Sequence, residues 1–167
     1  MKTESYQFKA AVIGLGQIGM GYDYQSQNSR FRTTHCSAYH YHSDFELIAG
    51  VDPNAALIRA FEKKYASPGY KTVEQLFEKH ALDVVSICVP TDYHYSTFKK
   101  VAESGIHNIL LEKPIAAILQ EAKKIAKIAE KKKIRLLINY IRRFDPGILQ
   151  LKADIEKGEW GEIEKVS

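Results

Sequence analysis

The residues able to do chemistry fall into three short clusters. The first, Gly14-Leu15-Gly16-Gln17-Ile18-Gly19, fits G-x-G-x-x-G directly after a short apolar run. In such a loop the first glycine permits a tight turn and the second lets backbone N–H groups approach a pyrophosphate. The third allows close helix–strand packing, and the helix start adds partial positive charge. The second cluster is a single acid, Asp52, which ends the apolar run Phe45–Val51. A carboxylate there accepts hydrogen bonds from ribose hydroxyls and repels a 2′-phosphate, which favours NAD(H) over NADP(H). The third comprises Pro90-Thr91-Asp92-Tyr93-His94 and Glu112-Lys113-Pro114, each following a further apolar run. In open α/β sheets, ligands bind beyond the carboxyl ends of strands, which is where these segments fall. A lone glycine motif is weak; one set between a first strand and a second strand ending in an acid is much stronger.

The elements that must position these clusters read as alternating strands and helices. Lys9–Gly14, Phe45–Val51, Asp83–Val89, His107–Leu111 and Arg135–Asn139 are continuous apolar runs, which suits a parallel sheet covered on both faces. Between them lie amphipathic helices. Asp52-Pro53 supplies an N-cap and a first-turn proline ahead of Leu57, Phe61 and Tyr65. Thr72-Val73-Glu74-Gln75 forms a capping box. A helix from about Tyr93 to Ser104 stops at Gly105, and Ile118, Ala122, Ile125 and Ala129 form the buried stripe of the next. The expected fold class is α/β, a doubly wound parallel sheet of the Rossmann type.

Composition is that of an ordinary globular domain: 167 residues, 45% hydrophobic and 26% charged. No apolar run approaches the ~18–20 residues of a membrane-spanning helix, and none resembles a signal-peptide core. Only Cys36 and Cys88 occur, without CxxC spacing, so a reducing cytoplasm is the expected compartment. Of the net charge of +4, the segment Glu121–Arg143 alone carries nine basic and two acidic residues. A lysine-rich face of this kind reads as a solvated helix face rather than a nucleic-acid surface. The run His35-Cys36-x3-His40-x-His42 has metal-ligand residue types but no second ligand pair nearby, so no metal is expected.

Together these residues strongly resemble the glucose–fructose oxidoreductase / inositol dehydrogenase / MocA family of nicotinamide-dependent oxidoreductases. The resemblance covers nearly the whole chain. It rests on Gly14, Gly16 and Gly19, on Val51-Asp52-Pro53, on Pro90-Thr91 with His94, and on Glu112-Lys113-Pro114. Tyr140-Ile141-Arg142-Arg143-Phe144 and Gly158-Glu159-Trp160-Gly161 also match. The resemblance implies that Lys113 is the active-site lysine, hydrogen-bonding the reacting hydroxyl, and that Pro114 stiffens its turn. It further implies that Thr91 and His94 lie near the nicotinamide ribose and Arg143 near cofactor or substrate. A surface ion pair of Lys113 with Glu112, a structural role for His94 and a surface salt bridge for Arg143 are the plain alternatives.

Two departures from the family pattern stand out. Gly19 and Asp52 are 33 positions apart where about 20 is usual, the excess lying in Gly21–Thr34, ahead of His35. This insertion can cover the pyrophosphate, contact a partner or simply decorate the surface. Members of the family are also two-domain proteins about twice as long. Residues 1–145 are therefore expected to form the NAD-binding domain, and 146–167 the start of a truncated substrate and oligomerisation domain. The substrate class implied is a sugar, nucleotide sugar or cyclitol, with no nucleic-acid or membrane partner and with homo-oligomers possible in the full-length protein. A stand-alone, non-catalytic dinucleotide-binding module is the competing expectation.

Overall fold

The computed structural model describes residues 7–26, 32–162 and 165. Six parallel strands form one sheet: β1 (Phe8–Ile13), β2 (Phe45–Val51), β3 (Gly69–Tyr70), β4 (Val84–Ile87), β5 (Asn108–Leu111) and β6 (Arg135–Ile138). Their spatial order is β3-β2-β1-β4-β5-β6, so the chain runs outward from β1 in one direction, then returns to build the other half. Five strands lie where the apolar runs place them. The sixth, β3, is two residues long and carries no apolar run of its own; it forms because Gly50 and Val51 of β2 offer it a pairing edge.

Side chains alternate between two cores. Ala11 and Ile13 of β1 and Val85 and Ile87 of β4 face one side. There they meet α3 (Val73–Lys79), α4 (His94–Glu103) and α5 (Leu119–Lys131). Ala10 and Val12 face the other, with α1 (His35–Tyr41) and α2 (Ala55–Tyr65). The α5 stripe is narrower than its sequence suggests. Ile125 and Ala129 are buried, whereas Ile118 is the exposed N-cap residue, because the helix begins only at Leu119. The last helix, α6 (Pro146–Glu156), is capped by Asp145, whose carboxylate accepts from Gly147 N, and buries none of its residues.

Helix ends correct two further expectations. Asp52 does not cap α2; Asn54 does, its side chain accepting from Ala56 N at 2.9 Å. Asp52 lies two residues earlier and is occupied elsewhere. At α3, Thr72 accepts from Gln75 N, but the Gln75 amide reaches back to Lys71 N rather than to the cap residue, so only half of the box closes. The segment Glu159–Ser167 reads in sequence as a turn leading into a strand; the structure shows a turn at 157–160, and most of residues 163–167 lie outside the described residues.

Two substitutions test this packing. Ile125→Ala removes a fully buried side chain from α5 and is expected to cost about 2–4 kcal/mol in urea unfolding. Ala66, the α2 C-cap, has φ +54°, a left-handed conformation that penalises a Cβ. Ala66→Gly is expected to stabilise the chain by about 0.5–1 kcal/mol in the same assay.

Candidate functional site

The sheet order reverses between β1 and β4, and a crevice of about 920 Å³ opens beyond the carboxyl ends of the strands at that point. The glycine turn forms its floor. Asp52 stands on the β2 side, and Pro90, Thr91 and His94 line the β4 side together with Glu112 and Lys113 after β5.

Each motif glycine has a separate steric reason. Gly14 has φ +94°, and a Cβ there would lie 2.6 Å from the Cys88 carbonyl carbon. At Gly19 a Cβ would collide with the Gly14 carbonyl oxygen. Gly16 differs: a Cβ would meet nothing, because the residue is exposed at the crevice. The space a side chain would fill belongs to the crevice, and Gly16, Gln17 and Ile18 all line it. These features fit a diphosphate. The helix start beyond them is only one π-helical turn, Gln17–Gly21, so local amides rather than a long helix dipole would hold the anion.

Asp52 is buried, and its carboxylate is fixed by two backbone amides. Leu15 N donates to Oδ2 at 2.9 Å and Asn54 N to Oδ1 at 2.8 Å. The acid therefore ties the glycine turn to the end of β2. Each carboxylate oxygen has further acceptor capacity, and the residue borders the crevice.

At the opposite end the side chains form a buried chain of hydrogen bonds. Tyr39 OH lies 2.8 Å from Ser86 Oγ, and Ser86 Oγ lies 2.9 Å from His35 Nδ1. His35 Nε2 is 2.9 Å from Glu112 Oε1, and Asn139 Nδ2 donates to the same oxygen. Lys113 N donates to Glu112 Oε2 at 3.2 Å. Burial alone would raise the Glu112 pKa; His35, Asn139 and the Lys113 amide outweigh it, holding the carboxyl below the usual glutamate range.

The Lys113 side chain lines the crevice and is exposed, not partly buried. Its side chain forms no ion pair with Glu112 among the described residues, because Glu112 is turned inward to His35. The structure gives His94 a structural role. Its Nδ1 is 2.8 Å from the Pro114 carbonyl and its Nε2 2.9 Å from that of Val89, so it ties the loop after β5 to the end of β4. Pro114, joined to Lys113 by a cis peptide bond, supports the site through this contact without lining the crevice. Arg143 lies in the exposed 3-10 turn Ile141–Phe144 and does not line the crevice.

The insertion splits what would be one helix after the glycine loop into the π-turn and α1. Its described base is pinned. Asp23 accepts from Thr33 N, Thr34 N, Thr34 Oγ1 and Ser37 Oγ, and Lys64 Nζ donates to the carbonyls of Asp23 and Tyr24. Tyr22 lines the crevice, so this part of the insertion borders the site; 27–31 lie outside the described residues. His35, Cys36, His40 and His42 diverge. Cys36 enters the core, His40 packs on Tyr65 and His42 on Phe45. Sequence reasoning missed Asn139 as a partner of Glu112, and Ser86 and Tyr39 as the groups behind His35. The one visible signal was a serine inside an otherwise apolar strand.

A sequence model described as "Oxidoreductase family, NAD-binding Rossmann fold" (GFO_IDH_MocA) matches residues 8–140. The chain belongs to this family. Rhizopine catabolism protein MocA of Rhizobium meliloti is 33% identical over 164 residues, covering 96% of this chain and 46% of that protein. Inositol 2-dehydrogenase of R. meliloti strain 1021 is 29% identical over 93% of this chain and 44% of its own length. The WlbA dehydrogenase from Bordetella pertussis, solved with NADH and UDP-GlcNAcA, superposes with a TM-score of 0.78. At 21% identity, covering 95% of this chain and 42% of that one, it supports the fold. The chain thus spans less than half the length of these proteins. No helix among its described residues is long and apolar enough to cross a membrane.

The glycines separate stability from binding. Gly19→Ala is expected to lower stability by about 3 kcal/mol, since backbone must move to admit the methyl group. Gly16→Ala is expected to leave thermal unfolding unchanged while weakening dinucleotide binding about tenfold or more, read by calorimetry. Glu112 adds an acid-sensitive element. A carboxyl held below its ordinary range stabilises the fold above that range and loses the contribution as pH falls through the folded value. Thermal stability should therefore fall below about pH 4.5, and Glu112→Gln should flatten part of that slope.

Proposed function

We propose that the chain is the NAD-binding part of an oxidoreductase acting on the CH–OH group of a sugar, nucleotide sugar or cyclitol. The observation that carries this reading is the crevice itself. An open glycine turn lies between an amide-fixed carboxylate, Asp52, and the pair Glu112–Lys113. A dinucleotide laid over the turn would place its adenosine ribose toward Asp52 and its nicotinamide toward Lys113. Bound nicotinamide would supply the hydride acceptor. Lys113 Nζ would hold the substrate hydroxyl and move its proton, with His94 and Pro114 fixing the loop that carries it. Gly14, Gly16, Gln17, Ile18 and Gly19 would form the diphosphate cradle, and Pro90 and Thr91 would border the nicotinamide ribose.

Relatives support the substrate class: similar proteins are named inositol 2-dehydrogenase and D-glucoside 3-dehydrogenase. Residues 1–145 form the cofactor domain in this reading, and 146–167 begin a second unit. In support, α6 buries no residue and leaves Ile148, Leu149 and Leu151 exposed. Substrate selection would rest mainly outside residues 1–145.

The expected result is measurable by calorimetry. NAD⁺ should bind at least tenfold more tightly than NADP⁺, because a fixed carboxylate meets the 2′ position. Asp52→Ser should narrow that ratio toward one. Tighter binding of NADP⁺ by the unaltered chain would overturn the assignment of Asp52. Binding of neither dinucleotide would overturn the reading as a whole.

A further inference from the structure

Glu112 does more than support the lysine beside it. Its side chain is buried yet borders the crevice beside Lys113. The hydrogen-bond chain behind it also specifies its charge. Ser86 is fully buried, so its hydroxyl hydrogen must find a partner, and His35 Nδ1 at 2.9 Å is that acceptor. Tyr39 then donates to Ser86 Oγ, and His35 Nε2 carries the one ring hydrogen and donates to Glu112. Every hydrogen in the chain is used once, with the imidazole neutral. A doubly protonated ring would donate at Nδ1 and turn the Ser86 hydroxyl onto Tyr39, leaving the Tyr39 hydroxyl hydrogen without an acceptor among the described residues.

All the groups facing Glu112 are thus neutral donors: His35 from α1, Asn139 after β6 and the backbone amide of Lys113. Nothing within the cluster cancels the carboxylate. The nearby cation, the Lys113 ammonium, is exposed and screened by water, whereas the Glu112 charge acts through protein of lower dielectric. The two forms of a nicotinamide differ in charge: the oxidised ring is cationic and the reduced ring neutral.

Resting on the dinucleotide reading above, we infer that Glu112 is a determinant of cofactor redox state. Its buried carboxylate raises affinity for oxidised over reduced dinucleotide at this site, and Lys113 opposes it weakly.

Calorimetric titration of the chain and two variants with NAD⁺ and with NADH tests this. Glu112→Gln keeps the shape and removes the charge; it should weaken NAD⁺ relative to NADH by about fivefold or more. Lys113→Gln, at an exposed position, should shift the same ratio the opposite way by about twofold. A merely structural role predicts that Glu112→Gln weakens both forms by one common factor, and that outcome overturns the inference while leaving the dinucleotide reading intact. If Glu112→Gln does not fold, Lys113→Gln decides, and an unmoved ratio overturns the inference. Failure of the unaltered chain to bind either form removes the dinucleotide reading and this inference with it.

Discussion

The site depends on how closely the turn after β1 approaches the end of β4. Gly14 packs against the Cys88–Val89 peptide, and Gly19 packs against Gly14 itself, at separations no side chain allows. That contact brings the carboxyl ends of the two central strands together and leaves Gly16, Gln17 and Ile18 lining the crevice. With the turn displaced, Leu15 N would lose Asp52, and the β2 side of the crevice would lose its anchor. The chemistry proposed here is therefore a consequence of backbone packing before it is one of side chains.

Two carboxylates stand at opposite ends of this crevice, and each is kept there by a different device. Asp52 is held by backbone amides only a few residues away or directly across the turn, so any sequence with this loop and this strand end recreates it. Glu112 is held by side chains from α1, from the end of β6 and, through His35, from β4. Burying such a group is unfavourable unless its acceptor sites are filled, and a partly filled network would be worse than an apolar one. The arrangement thus couples three elements, α1, β4 and the end of β6, to the loop that carries Lys113. His94 adds a fourth tie from α4.

The insertion interrupts the helix after the glycine loop without disturbing this network. Its base is closed by Asp23, which gathers donors from 33, 34 and 37, and by Lys64, which reaches across from α2. Lengthening a closed loop costs little entropy, because that cost grows only logarithmically. His35 consequently enters α1 in the position that meets Ser86 and Glu112.

The order of strands and helices, the glycine turn and the acid at the end of β2 were all written in local pattern. Continuous apolar runs, glycine spacing and an acid after a strand each report a constraint acting within a few residues, so reading them needs no partner. Three features were not legible there. The short β3 has no pattern of its own and exists because an edge of β2 accepts it. Asp52 is not the cap of α2 because that helix starts later, with Asn54 in the cap position, and the Asp52 Oδ2 instead meets Leu15 N from 37 positions earlier. Lys113 and Glu112 read as neighbours in sequence, yet the peptide between them divides solvent from core, turning one outward and the other toward His35, 77 positions away. Hydrogen-bond partners that distant are chosen by which strands become adjacent in the sheet, and that choice belongs to the tertiary structure alone.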